Sequence, residues 1–466
     1  MQVVKTDNGY VSGTVIGEPG QEVYIFRGIP YAATPVGELR WKPPQPVASW
    51  AGIRECTRFS NISPQQTMPG FPSGPPMSED CLYLNVLTPA KNPEEKFPVM
   101  VWMHGGGYFM GNGNDKIWNN YRLPQNGVVL VTVTHRLGPF GLLAHPLLSE
   151  ESPESVSGNY HFLDLIAALK WIRNNIFGFG GDPDNVTIFG ESGGGAKVSI
   201  MMSSSMAKGL FHKAICQSGT ALALDHGRSL GEIEEWGKTL FDKLDVRTLE
   251  EARKVPWQKI IEMDQTMQRP PDEGRDMPMP VWDAAIDGWM LLAGPIDAFR
   301  SGSINAVPLI TCANLGELTG PGPLVMPFII QAYIDMIESV NKKNAKGYAC
   351  IFDHLPAQWR KEGGVCAHAN ELLYVFGDWD NSTGWWESTG MMMLQCGAKN
   401  PEVILTESDR FISESMMRLW TQFAKTGDPA IKNLTEWPAY DRTSDKYLYL
   451  NEKLEVKTGY SGIVMG

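Results

Sequence analysis

The chain has 466 residues, 43% of them hydrophobic and 20% charged, which excludes a disordered or fibrous polypeptide and leaves room for one large α/β domain or two to three ordinary ones. Its formal net charge of −12, without any run of Lys or Arg, argues against nucleic acid or an anionic membrane as a partner, because phosphate binding needs clustered cations. No apolar stretch reaches transmembrane length.

In chain order, the opening MQVVKTDNGYVSG lacks the basic-then-apolar pattern of a leader, so a cytoplasmic protein is expected. Residues 63–78, rich in Pro, Gly and Ser, read as an exposed loop. Residues 98–103 (PVMVWM) and 128–134 (VVLVTVT) are short, continuous apolar runs, as strands buried on both faces are. Residues 161–176 (HFLDLIAALKWIRNNI) space Phe162, Ile166, Leu169, Ile172 and Ile176 along one helix face. Further strands are expected at 186–189, 213–217, 307–313 and 348–352. Alternating strands and helices predict a mostly parallel sheet covered on both sides. Without a repeat or a long linker, residues 1–466 read as a single domain. Seven scattered cysteines with no C-x-x-C spacing suggest neither a zinc site nor a disulfide framework, and their odd number favours free thiols.

The chemistry concentrates in FGESGGGAKVS, residues 189–199. Counted from Gly190, the run is one residue out of register for a phosphate-binding G-x-x-x-x-G-K-[ST] loop. Ala196 stands where that loop needs its lysine, and Lys197 comes one place late, turned by about 100° on a helix. Counted around Ser192, the run is G-x-S-x-G, with a strand before it and helix-compatible residues after it, the context of a nucleophile elbow. A glycine turn whose serine only caps a helix fits this motif equally well.

The rest of the chain favours the elbow. An attacking serine needs backbone N–H groups aimed at the developing oxyanion, and the strand at 98–103 runs into His104-Gly-Gly-Gly-Tyr108, an HGGG-type loop. The serine also needs a base and an orienting carboxylate, in the order Ser, acid, His. His354 and His368 both lie far enough downstream, and spacing alone cannot choose among the carboxylates.

These residues resemble the type-B carboxylesterase family over nearly the whole chain. The resemblance rests on residues 26–41 (FRGIPYAATPVGELRW), 78–85 (SEDCLYLN), 179–194 (FGGDPDNVTIFGESGG), 420–429 (WTQFAKTGDP) and 437–440 (WPAY). It implies an α/β-hydrolase fold and a serine esterase that needs no metal or cofactor and acts on a small-molecule ester. The segment ANLGE matches the family's N-x-x-E motif and makes Glu317 the triad acid. The segment VCAHANELLYVFG matches its H-x-x-E block and makes His368 the base, leaving His354 a structural role. Carried over by position, Gly106, Gly107 and the N–H of Gly193 form the oxyanion hole. Glu191 and Glu371 resemble the family's buried carboxylates behind the triad, Ser218 their hydrogen-bond partner, and Arg40–Glu79 and Arg136–Asp164 its structural ion pairs.

The chain departs from the family in three places. Cys81 usually has a disulfide partner where this chain has Ser63, so no bridge is expected there. His135 stands in THRLG where the family prefers N-Y-R, and His161 and Leu165 replace a more usual glycine and glutamine. The span from Glu317 to His368 is short, which implies a more open pocket, capped by an insertion around 318–345 and chiefly by residues 326–337. Met391 to Met393 and the pair Trp385 and Trp386 are candidate linings, and Phe71 without a tryptophan makes a choline site doubtful. A catalytically dead binding module is the alternative from another class, but such relatives typically lose the serine that this chain keeps.

Overall fold

A computed structural model describes residues 2–66, 75–223, 227–267, 281–317, 329–380 and 405–463. An eleven-stranded sheet runs through the molecule. In chain order its strands are β1 (Thr14–Ile16), β2 (Val23–Pro30), β3 (Tyr83–Thr88), β4 (Phe97–Met103), β5 (Val129–Val133), β6 (Gly181–Glu191), β7 (Lys213–Gln217), β8 (Leu309–Asn314), β9 (Gly347–Phe352), β10 (Lys446–Leu450) and β11 (Leu454–Thr458). They lie side by side as β11-β10-β9-β8-β7-β6-β4-β5-β3-β2-β1. The stretch from β10 to β5 is parallel throughout, and antiparallel strands close both edges.

Two apolar clusters show why these strands read as continuous hydrophobic runs. Val99 and Val101 of β4 face one cluster, and their neighbours Met100 and Trp102 face the other. The first cluster packs under α1 (Tyr160–Asn175), α2 (Gly193–Ser203) and α3 (Ile329–Asn341); the second packs under α4 (Glu407–Thr426). A strand covered on both faces has no polar side to show. The expected α/β-hydrolase architecture is therefore present, a mostly parallel sheet between helical layers.

Two expectations need correction, on the exposed loop and the cysteines, and a third lies partly outside the described residues. The start of the loop expected to be exposed is buried at Ser63 and Gln65, where Gln65 exchanges hydrogen bonds with Gly111. The insertion expected to cap the pocket lies partly outside the described residues. Its described part, α3, packs against β8 and β9 with Ile330, Tyr333, Ile334 and Ile337 in the core. The cysteines are not all free: Cys312 and Cys350, opposite each other in the register of β8 and β9, form a disulfide. Cys56, Cys81 and Cys216 are buried free thiols, and Ser63 lies beside Cys81 in the place where a bridge is absent. No described helix is long and apolar enough to cross a membrane.

Candidate active site

Strand β6 ends at Glu191 and α2 begins at Gly193, which leaves one residue, Ser192, to make the turn. Its backbone is held at φ 57° and ψ −125°, a conformation that L-residues rarely adopt. Close packing imposes it. A Cβ on Gly194 would lie 2.0 Å from the Met103 carbonyl oxygen, and one on Gly219 would lie 2.0 Å from that of Ser192 itself. The Ser192 N–H donates to the Gln217 carbonyl at 2.9 Å, tying the turn to β7.

The glycine loop after β4 lies alongside. Gly106 and Gly107 have φ of +86° and +62°, open to glycine and strained for other residues. Gly193 approaches so closely that a Cβ there would fall 2.5 Å from the Gly107 nitrogen. The three positions assigned to the oxyanion hole are thus neighbours in space.

Glu317 closes a short turn, Leu315–Glu317, just past the end of β8. Its approach to the histidine loop is fixed by the Gly316 N–H, which donates to the Cys366 carbonyl at 2.7 Å, and by Asn314 Nδ2, which donates to the Ala367 carbonyl at 2.8 Å. His368 Nδ1 then lies 3.4 Å from Glu317 Oε1, and Nε2 lies 3.1 Å from Glu191 Oε1. Both are ion-pair distances without hydrogen-bond alignment. Among the described residues no hydrogen bond joins Ser192 Oγ to the imidazole.

Three carboxylates thus surround one imidazole in a buried pocket. Burial opposes the imidazolium, but Glu191, Glu317 and Glu371 outweigh it and push His368 up to about 9. Burial also pushes Glu191 up to about 8, against the pull of His368 and with the help of the other two carboxylates. Glu371, again chiefly through burial, rises to about 7. Its oxygens accept from Gln217 Nε2 at 3.0 Å and Asn314 Nδ2 at 2.7 Å. The expected partner, Ser218, does not serve: its hydroxyl is buried without a hydrogen bond among the described residues. Gln217, one position earlier, does the work and also accepts from Trp420 Nε1 at 2.9 Å. Neither Gln217 nor Asn314 was marked by sequence reasoning, although Asn314 is the first letter of the N-x-x-E motif.

His354 stands apart, with Nε2 2.9 Å from Asp409 Oδ1, which also accepts from the Tyr374 hydroxyl. The ion pairs Arg40–Glu79 and Arg136–Asp164 form at 2.5 and 2.6 Å, both buried. Phe71, Trp385, Trp386 and Met391 to Met393 lie outside the described residues.

A profile described as the carboxylesterase family matches residues 1–327 and 326–462. A fumonisin B1 esterase of Sphingopyxis macrogoltabida is 41% identical, covering 93% of this chain and 84% of that protein. A para-nitrobenzyl esterase of Bacillus subtilis (strain 168) is 31% identical, covering 98% and 96%. Among solved structures, a PNB esterase superposes with a TM-score of 0.81 at 27% identity, covering 100% of this chain and 99% of its own. A Geobacillus stearothermophilus carboxylesterase gives 0.79 at 28% identity, covering 100% of both.

Proposed function

Because the chain belongs to the carboxylesterase family, we propose that it hydrolyses esters with Ser192 as nucleophile, His368 as base and Glu317 as the acid that orients the base. Carboxylic ester hydrolysis is the activity of the chain, and what is added here is the assignment of residues. The observation that carries the assignment is the conformation of Ser192. A serine held at φ 57° between a strand end and a helix start, beside a glycine loop, fits a nucleophile elbow and has no use as a helix cap, since its side chain makes no capping bond.

The imidazole turns from Glu191 to Ser192 and its Nε2 takes the hydroxyl proton as Oγ attacks the acyl carbon. Glu317 at Nδ1 holds the tautomer and offsets the charge. The N–H groups of Gly106, Gly107 and Gly193 meet the oxyanion. The tetrahedral adduct collapses with His368 protonating the leaving alcohol. Water, deprotonated by the same imidazole, then attacks the acyl-serine and releases the acid.

The short span between Glu317 and His368 supports an open pocket for small or medium, uncharged acyl or aryl esters. The test is hydrolysis of para-nitrophenyl esters of increasing acyl length, with fumonisin B1 added because one relative is named for it. Ser192→Ala is expected to lower kcat by several orders of magnitude, on the order of 10⁶-fold. Equal, feeble rates for both proteins would remove Ser192 from the mechanism and favour a binding module.

A further inference from the structure

Lys197 failed the phosphate-loop register, and the triad does not use it, yet it is fully buried in α2, five residues past Ser192. Its Nζ donates to the carbonyl oxygen of His104 at 2.8 Å. His104 is the residue from which the glycine loop springs, so this bond joins the helix that carries the nucleophile to the root of the loop opposite it. We infer that Lys197 is a positioning residue of the esterase reaction, tethering the His104 carbonyl to the nucleophile helix and so fixing where Gly106 and Gly107 point. The inference rests on the assignment of those glycines to the oxyanion hole.

The surroundings single this amine out. Three buried histidines stand near it in a row: His104 stacks on His135 with ring centroids 4.7 Å apart, and His161 meets His135 edge to face at 4.2 Å. The rings pack face to face and edge to face, and no metal-ligating set is assembled among the described residues. Burial first, and the Lys197 charge second or third, hold all three imidazoles well below their ordinary range, so each is neutral. Burial likewise holds the Lys197 amine far below its ordinary range, opposed only by Glu191. His104 Nδ1 faces the Gly105 carbonyl at 2.8 Å, and His135 Nδ1 faces that of Arg136 at 3.1 Å.

A buried amine beside neutral rings is costly, and a methionine of similar length would fill the same slot without a polar head. What the lysine adds is one directed N–H on one carbonyl. Helix and loop already touch at Gly194, where a Cβ would lie 2.0 Å from the Met103 oxygen and 3.1 Å from that of His104. The amine bonds the next carbonyl along this same contact and restrains the rotation of the loop about it.

Lys197→Met removes the donor and keeps the bulk. The measurements are kcat and KM on para-nitrophenyl butyrate, and Ki for an alkyl trifluoromethyl ketone against its methyl ketone analogue. The fluoroketone forms a tetrahedral oxyanion on the serine, whereas the methyl ketone binds largely without one. Removing an oxyanion donor outright costs about 10²–10³ in kcat, so displacing the loop is expected to cost about 10- to 100-fold. Fluoroketone affinity should weaken in parallel, with KM and methyl ketone affinity nearly unchanged. If Lys197→Met does not fold, Lys197→Gln, too short to reach His104, carries the same expectation. Unchanged kcat and fluoroketone affinity would overturn the inference, as would equal losses for both ketones. An active Ser192→Ala in the same assays would instead sink the triad itself, so the two failures are distinguishable.

Discussion

His368 has a carboxylate at each ring nitrogen, and only one of them belongs to the proposed triad. A base must be neutral to accept the serine proton, so activity is lost as pH falls through the pKa of the folded enzyme. Glu191, Glu317 and Glu371 raise that pKa above the ordinary histidine value, overcoming burial, so the acid limb of kcat/KM should lie above pH 6.5. Glu191, 3.1 Å from Nε2, is the carboxylate whose charge raises it most, so in Glu191→Gln the limb is expected to move to lower pH; a profile from pH 5 to 10 on both proteins checks the sign. At this scale the sharp turn at Ser192 was legible because its constraint is local: glycines at fixed offsets, a strand before and a helix after. Glu317 and His368 were not, since partners from different strand ends leave no spacing rule, and only the family resemblance selected them. Ser218 was misassigned by one position. Ser218 lies past the end of β7 with its backbone at φ 48°, and it is the Gln217 amide that bonds Glu371.

Strands were the most legible elements, because burial on both faces leaves an unbroken apolar run. The helix at 329–341 packs on the sheet, which its sequence alone does not tell: an apolar face looks the same whether it covers a pocket or a sheet. Topology decides between them. Strands β8 and β9 are adjacent and parallel, so the chain between them must cross over the sheet, and α3 is that crossover. The elbow depends on equally tight contact between β4 and α2. Gly194→Ala is expected to destabilise the fold by several kcal/mol, since the new Cβ would sit 2.0 Å from backbone, whereas Gly231→Ala, with nothing within 4 Å, should be neutral or stabilising by up to about 1 kcal/mol. Urea unfolding midpoints of the two variants supply the comparison.

Across the whole molecule, the disulfide was the least legible feature. Cys312 and Cys350 are 38 residues apart, and nothing local marks them as partners; only the register of β8 and β9 sets them opposite one another. A peptide map without reductant should recover them linked. Replacing both by alanine releases a closed loop of that length in the unfolded chain, an entropy difference of up to about 4 kcal/mol, read as a lower urea midpoint. Gln217 links regions just as distant, through its carbonyl on Ser192, its amide N–H on Glu371 and its amide oxygen on Trp420 of α4. Being fully buried, it offers substrate no surface, so it can tune no preference. In laboratory evolution toward a new ester, this position is a choke point: randomising it spends variants on broken enzymes, and selected lineages should keep glutamine there while their pocket walls diverge.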